Sequence, residues 1–491
     1  MSQTVMTKML KRHMSHACRD ANHYLPRLKG KAVTVVGLGR SGASAVRLLQ
    51  AGGARVTIAD HRQESELAET LAQLDAQNLH VCVGSEFETA FSAPDLVVVS
   101  PGVPSDLDCL DAVRTRGISV VSEIECASWF FSQPIVAVTG TNGKSTTVSL
   151  IARMLEENGH RIFVGGNLGV PLSDAAWTIF QHCEQEIDSA SSFDWIVAEV
   201  SSFQLETIER FHPTIAVLLN FSPDHLDRHS SLDAYQSAKS RIFENQSVDD
   251  YAVVNADDPF IKIWKKSIHA HVLEFSVVNE VDAGASVKDG RIIARLPGGG
   301  TVDILSCQDI GLRGSHNLAN ILAAITVCLV CGASVEAIRS AVRAFSGIDH
   351  ALEPVREHRG VLFINDSKGT NIDATIKAVE SFDQPLVIIL GGIHKGGDFT
   401  RLRTSFQDRV KHAIILGDAA SLIVQALQGV VRLSQVTNLS EAVSKAVQVS
   451  APGDVVLLSP ACASFDSFRD YQDRGQQFRD LVNRLPSTEP Q

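Results

Sequence analysis

One stretch, Val136-Ala-Val-Thr-Gly-Thr-Asn-Gly-Lys-Ser-Thr-Thr147, constrains this chain more than any other. A short apolar run breaks into a glycine-flanked turn that ends in lysine and hydroxyls, and a helical pattern follows. Strand, turn and helix in that order form a cradle for a nucleoside triphosphate. Gly140 and Gly143 let the backbone N–H groups of Thr141 and Asn142 approach phosphate oxygens, Lys144 offers a point charge to the terminal phosphates, and Ser145 or Thr146 can hold a magnesium ion. The common form of the loop wants its first glycine at position 138, where this chain has Val138; the glycine is Gly140 instead.

The rest of the chain supplies strands and helices to match. From Lys31 onward short β-branched runs alternate with helical patterns, which predicts an α/β fold with largely parallel sheets. Val33–Val36 opens into Gly37-Leu-Gly-Arg-Ser-Gly42, and the next strand, Arg55–Ala59, ends in Asp60, His61 and Arg62. A glycine pattern of this kind with an acid on the following strand suits a dinucleotide, and equally any nucleotide diphosphate on a helix N-terminus. Asp95–Val99 runs into Ser100-Pro-Gly-Val-Pro104 at the same sheet edge. In a second unit, Trp195–Ala198 delivers Glu199, a magnesium ligand by position. Ile215–Leu219 leads into Asn220-Phe-Ser-Pro-Asp-His-Leu-Asp-Arg-His229, which crowds ionisable groups at another strand end. Gln181–Ser192 reads as a polar loop. Residues 270 to 306, with the turn Pro297-Gly-Gly-Gly300, suggest a small antiparallel appendage. Strands at Val361–Ile364, Leu386–Leu390, Ala413–Leu416 and Val455–Leu458 make a third unit. Its polar turns are Asn365-Asp-Ser-Lys-Gly-Thr-Asn371 and Gly391-Gly-Ile-His-Lys-Gly-Gly-Asp-Phe399.

Composition excludes several classes. A net charge of −12 argues against a general nucleic-acid binder. Nine scattered cysteines favour free thiols in a reducing compartment. Cys328 and Cys331 lie in the apolar helical run Ile321–Gly332 and read as core, and that run is too short to span a bilayer. The basic first thirty residues lack the apolar core of a secretory signal and are expected to be a disordered extension.

Together these motifs identify the chain as resembling the Mur ligase family, and within it the glutamate-adding branch. The specific elements are Thr139-Gly-Thr-Asn-Gly-Lys-Ser-Thr146, the run Glu199-Val-Ser-Ser-Phe-Gln-Leu-Glu206, Asp224-His-Leu-Asp-Arg228, Asn365-Asp-Ser-Lys368 and Leu458-Ser-Pro-Ala-Cys-Ala-Ser-Phe-Asp466. The Asp-Asn-Pro-Arg signature of the diaminopimelate- and lysine-adding branches does not occur. The resemblance implies three domains: 31–131 for a UDP-linked substrate, 132–347 for ATP and 348–491 for the amino acid. The outer two would be Rossmann-like, and three sites on three domains suggest a hinge motion near Ser132 and Gly347.

The activity it implies joins D-glutamate to UDP-N-acetylmuramoyl-L-alanine with ATP, through an acyl phosphate. Lys144 would hold the β and γ phosphates, and Ser145 and Glu199 one of two Mg2+ ions. His225 and Lys239, the latter as a carbamate made from CO2, would hold the second; by pattern alone Lys239 is a surface lysine. Gly39, Arg40, Ser41, Asp60, His61, Arg62 and Ser100 match the UDP turns, which sets the dinucleotide reading aside, and Asn167 matches a residue near the muramoyl group. Asn317, Asn320, Asp366 and Lys368 match nucleotide positions. Thr370, Lys395 and Ser464 match those that hold glutamate carboxylates, with Tyr471 at an aromatic contact where Phe is usual. Position 351 departs from the family: Ala351 stands in His350-Ala-Leu-Glu-Pro354 where Arg reaches the nucleotide, and Arg356 is the candidate substitute. A cytoplasmic monomer without membrane insertion is expected.

Overall fold

In the computed structural model, residues 28–486 are described, except 168, 185–192, 226–227, 230 and 296–299. The basic extension before Leu28, most of the polar loop before Phe193, part of the Asp224–Arg228 motif and most of the Pro297–Gly300 turn lie outside the described residues. The chain divides into two compact units. The first holds residues up to Phe221, Asp233–Asp309 and Ala319–Arg343; the second holds Ser222–Leu232, Ile310–Leu318 and the residues from Ala344 on.

The first unit contains two sheets. β1 (Ala32–Val36), β2 (Arg55–Asp60), β3 (Leu79–Val83), β4 (Leu96–Val99) and β5 (Val120–Ser122) form a parallel sheet in the order β3-β2-β1-β4-β5. The order reverses at β1, so a crevice opens at its carboxyl end with β2 on one side and β4 on the other. Gly37, Asp60 and Ser100 stand on that edge.

The second sheet has nine strands: β6 (Ile135–Thr139), β7 (Ile162–Gly166), β8 (Trp195–Glu199), β9 (Ile215–Leu218), β10 (Tyr251–Asn255), β11 (His271–Ser276), β12 (Gly284–Lys288), β13 (Arg291–Arg295) and β14 (Thr301–Ser306). Their order is β14-β13-β12-β11-β10-β9-β6-β8-β7. The antiparallel strands expected past residue 270 are β12–β14, and they continue this sheet, because β11 and β12 pair in parallel with the strands before them. β6 lies between β8 and β9 with every residue buried, which accounts for Val138: that position pairs with Glu199 and Val217 inside the strand, and the loop starts after it.

Ser132 lies inside the first compact unit. The helix Glu123–Ser128 of the first sheet sends two buried carboxylates into the second. Glu123 accepts from the Ser173 amide at 2.6 Å, near the start of the helix Leu172–Glu184. Glu125 accepts from the amides of Glu209, Arg210 and Phe211 at 2.7 to 3.0 Å and from Trp129 Nε1 at 2.7 Å. A single apolar cluster runs from Val33 and Leu48 through Ile124 to Ala137, Ile196 and Ala216. Buried carboxylates satisfied by amides lock two elements in one arrangement, since separation would strand the charge. Burial pushes the Glu123 carboxyl up to about 7, with the Ser173 hydrogen bonds opposing that rise.

The second unit is built on β15 (Glu353–His358), β16 (Val361–Asn365), β17 (Leu386–Gly391), β18 (Val410–Leu416), β19 (Arg432–Gln435) and β20 (Val455–Leu458), ordered β15-β16-β20-β17-β18-β19. All pairs are parallel except β15 with β16. β20 is flanked by β16 and β17, so their three following loops emerge side by side. Cys328 and Cys331 are buried free thiols, and no helix among the described residues is long and apolar enough to cross a membrane.

Candidate active site

The loop after β6 is shaped by backbone geometry. Gly140 has φ 151° and Gly143 φ 86°, conformations that glycine adopts without strain. A Cβ on Gly143 would stand 2.2 Å from Asn320 Oδ1. Gly143 caps the helix Lys144–Glu157, whose N-terminal dipole points at the loop. Asn220, just past β9, holds the loop as a strand would: its Oδ1 accepts from Asn142 N and its Nδ2 donates to Asn142 O, both at 2.9 Å, and its carbonyl accepts from Thr141 N at 3.1 Å. Sequence reading placed Asn220 in a polar segment and missed this role.

Charge then gathers around the loop. Lys144 Nζ donates to the carbonyls of Gly140 and Thr141, each at 2.9 Å. Lys239 is 2 % exposed, against its reading as a surface lysine by pattern, and its Nζ also donates to Gly140 O at 2.9 Å, 4.7 Å from the centre of the Tyr235 ring. Across the loop, Ser145 Oγ donates to Glu199 Oε2 at 2.5 Å, and Asn167 Nδ2 donates to Glu199 Oε1 at 3.1 Å. Thr146 lies in the first turn of the helix. Among the described residues no group of three or more His, Cys, Asp or Glu gathers that could hold a metal. A hydroxyl and one carboxylate sharing a point fit magnesium, which takes few protein oxygens and completes its shell with phosphate and water.

The turn after β1 is held differently. Asp60 Oδ2 accepts from Leu38 N at 2.8 Å, and its two oxygens take Arg62 Nε, Nη2 and N at 2.7 to 3.0 Å. Burial alone would raise the Asp60 carboxyl, but the Arg62 guanidinium and the amides of Leu38 and Arg62 outweigh it and hold it below its usual range. Ser100 Oγ donates to Gly37 O at 2.7 Å. Gly39 caps the helix Arg40–Ala51, with Ser41 in its first turn. His61 stacks on Phe87 at 3.7 Å, and Arg40 Nη1 donates to Gly169 O at 2.8 Å, beside the turn that carries Asn167.

In the second unit, Asp224 Oδ2 accepts from Asn371 Nδ2 at 2.9 Å, and Asp224 Oδ1 accepts from the amide of His225, which sits at φ 55°. Asn317 Nδ2 donates to Arg313 O at 2.8 Å. Asp366 is buried and committed to the loop: Oδ2 accepts from Ser459 Oγ at 2.7 Å and Oδ1 from Leu352 N at 3.1 Å. Burial pushes its carboxyl up to about 7 against the Ser459 hydrogen bond. Lys368 Nζ meets Tyr471 Oη at 3.1 Å, and Lys395 Nζ donates to Thr370 Oγ1 at 3.2 Å. The loops after β17 and β20 are joined by Ile393 and Ala463, which exchange backbone bonds at 2.9 and 3.0 Å, with buried Ser464 next along. Arg356, the candidate substitute for an arginine at 351, is engaged at the end of a helix. Its guanidinium donates to the carbonyls of Asn483 and Leu485 at 3.1 and 2.9 Å, closing the end of the helix Tyr471–Asn483.

Comparison with known proteins agrees along the length of the chain. Residues 31–122 match the Mur ligase MurD-like N-terminal domain, 138–328 the Mur ligase middle domain and 352–462 the Mur ligase glutamate ligase domain. A UDP-N-acetylmuramoylalanine–D-glutamate ligase of Koribacter versatilis is 43 % identical, covering 94 % of this chain and 99 % of its own. The chain belongs to the Mur ligase family. A ligase of the same name from Acidobacterium capsulatum is 43 % identical over 93 % of this Mur ligase and 96 % of its own length. Among solved structures, a UDP-N-acetylmuramate-alanine ligase of Thermotoga maritima shares the fold with a TM-score of 0.56 at 18 % identity, covering 92 % of this chain and 99 % of its own. A pseudomurein peptide ligase of Methanothermus fervidus does so at 0.56 and 16 % identity, covering 93 % and 100 %.

Proposed function

We propose that this Mur ligase adds D-glutamate to UDP-N-acetylmuramoyl-L-alanine, driven by ATP, in the synthesis of peptidoglycan precursors, acting as a cytoplasmic monomer. The observation that carries the reading is the 43 % identity, over nearly the whole of both chains, to a relative of that name. Domains 31–131, 132–347 and 348–491 are assigned to the UDP substrate, ATP and the amino acid.

The substrate carboxylate attacks the γ phosphorus of ATP; a carboxyl O–P bond forms, the bond to the β,γ-bridging oxygen breaks and ADP leaves. The amine of D-glutamate then attacks the acyl carbon, the amide bond forms, inorganic phosphate leaves and the amine gives up a proton. All reacting groups are anionic, so the protein's task is charge neutralisation and positioning. Lys144, on a helix N-terminus, serves the β and γ phosphates. Ser145 and Glu199 would hold one magnesium ion, which neutralises phosphate charge when bound, and Asn167 fixes the Glu199 carboxylate. Gly39–Ser41, with the ends of β2 and β4 behind them, take the UDP diphosphate. Asn317, Asn320 and Lys368 serve the nucleotide, and Asp366 shapes the loop that carries Lys368. Thr370, Lys395, Ser464 and Tyr471 form the D-glutamate site.

Lys239 is assigned as a carbamate and, with His225 on the motif match, as a ligand of a second magnesium. Lys144 and Lys239 donate to one carbonyl oxygen, so two ammonium groups would repel at close range. Carbamylation removes one of those charges and leaves an N–H for the Gly140 carbonyl. Carbon-13 NMR after exchange with labelled bicarbonate checks this: a carbamate resonance that Lys239→Ala abolishes is expected.

Phosphate release with ATP, UDP-N-acetylmuramoyl-L-alanine and a panel of amino acids tests the whole reading. Turnover with D-glutamate is expected; turnover with L-lysine or diaminopimelate instead, or with no amino acid, defeats it. Activity is expected despite Ala351, because the phosphate loop and its Ser145–Glu199 pair are complete. An inert wild type made active by Ala351→Arg would show that expectation wrong.

A further inference from the structure

Arg474 lies in the first turn of the helix Tyr471–Asn483 and is 2 % exposed. Its guanidinium spans three loops. Nε donates to Ser367 Oγ and Nη2 to Ser367 O, both at 2.9 Å; Nη2 and Nη1 donate to Cys462 O at 3.3 and 3.4 Å; Nη1 also reaches Gly391 O at 3.5 Å. Ser367 and Cys462 lie in the loops at the carboxyl ends of β16 and β20, and Gly391 is the last residue of β17, where the third loop begins. Burial pulls the guanidinium down to about 10, so it keeps its charge at neutral pH.

Stability is a poor explanation for this side chain. Removing a cation from water costs several kcal/mol, and well-packed apolar replacements of buried charges are often neutral or stabilising. What an apolar side chain lacks is a rigid planar fork with five donors. Each loop that the fork grips carries a residue assigned to the amino acid: Thr370 follows Ser367, Ser464 follows Cys462 and Lys395 follows Gly391. The isolated bridge between Ile393 and Ala463 ties the loops after β17 and β20 to each other, Ala461 N ties the loop after β20 to that after β16 by donating to Gly369 O at 2.9 Å, and the Arg474 fork adds one rigid group that reaches all three.

We infer that Arg474 is a positioning residue for the amino-acid site, setting the spacing of the three loops that carry Thr370, Lys395 and Ser464. This rests on the assignment of those three residues to D-glutamate. The lysine side chain in Arg474→Lys keeps the charge and loses the fork.

The test combines steady-state kinetics with native hydrogen exchange on wild type, Arg474→Lys and Arg474→Gln. For Arg474→Lys the KM for D-glutamate is expected to rise about ten-fold, because misplacement on the ångström scale is costly, with the KM for the UDP substrate unchanged. Amides in loops 366–370, 391–395 and 461–464 are expected to exchange together about ten-fold faster, with those of β6 and β8 unaffected. A KM for D-glutamate within about two-fold of wild type, with kcat falling only as the folded fraction falls, overturns the inference. If neither variant folds, Ser367→Ala, which removes the Nε acceptor, is expected to raise the same KM about three-fold; no change overturns it. Failure of the functional reading looks different. If wild type uses another amino acid, Arg474 is judged on that KM, and if it uses none, loop exchange decides.

Discussion

The turn after β1 and the turn after β6 share a backbone plan. Each follows a buried parallel strand, bends through glycine and ends on a helix N-terminus, which suits any phosphate. What lies behind each turn differs. Behind the first stands Asp60, paired with Arg62 and accepting from Leu38 N. Around the second stand Lys144 and Lys239, with Ser145 and Glu199 opposite. Backbone form recognises phosphate as a class, and the side chains behind it decide whether the ligand brings a metal and reacts. Under the proposed function the first turn holds a diphosphate still, and the second neutralises a triphosphate that loses its terminal group.

The comparison breaks most visibly at Lys144. Lys144→Ala is expected to lower kcat roughly a thousand-fold, as loss of a donor to developing charge does, and to leave binding of the UDP substrate intact. Comparable loss of both would mean the two turns serve one ligand. Glu199→Gln should cost roughly a hundred-fold and raise the magnesium concentration needed for half-maximal rate. An unaltered magnesium titration would remove Glu199 from the metal site.

Two smaller changes exchange the roles of the turns. Asn220→Ala strips the double hydrogen bond from Asn142 and should raise the KM for ATP about ten-fold, with the UDP substrate unaffected. Asp60→Asn should do the reverse by about the same factor. Matching effects on both substrates from either variant would erase the distinction.

A further effect, on stability rather than turnover, concerns the frame that holds both turns in one unit. Glu123 has a folded pKa of about 7 against an ordinary 4.5. Its carboxyl is therefore protonated in the folded chain where it is ionised in the unfolded one, so stability declines as pH rises through that interval. The decline is at most about 3 kcal/mol and levels off above the folded value. Glu123→Gln keeps an acceptor for Ser173 N and should flatten that part of the thermal stability profile, raising Tm most at alkaline pH. A profile identical to wild type would mean Glu123 is not the titrating group.

Much of this was legible in the sequence. Strands such as Val455–Leu458 announce themselves as uninterrupted apolar runs, and the phosphate loop, Glu199 and the third-unit turns are strand-end motifs with local spacing. One weaker strand hid: Arg432–Gln435 carries polar residues on an edge. Residues that act through distance were invisible. Asn220 reaches the phosphate loop across a sheet, Glu123 and Glu125 look like ordinary acids in a short helix, and Arg474 is one arginine in a polar helix whose target loops are remote in sequence. Two acids within the apolar stretch Val120–Phe131 were the available hint of the first joint. Lys239 gave none, since one buried position on an amphipathic helix carries no signature of its neighbours.

The central claim is that one unit carries two phosphate turns with separate ligands, one independent of metal and one requiring it. Calorimetric titration with and without EDTA measures this directly, using UDP-N-acetylmuramoyl-L-alanine and then a non-hydrolysable ATP analogue on wild type and Lys144→Ala. The account predicts that the UDP substrate binds equally in all conditions, and that the ATP analogue loses affinity in EDTA and in the variant. Loss of UDP-substrate binding in EDTA or in Lys144→Ala would contradict it.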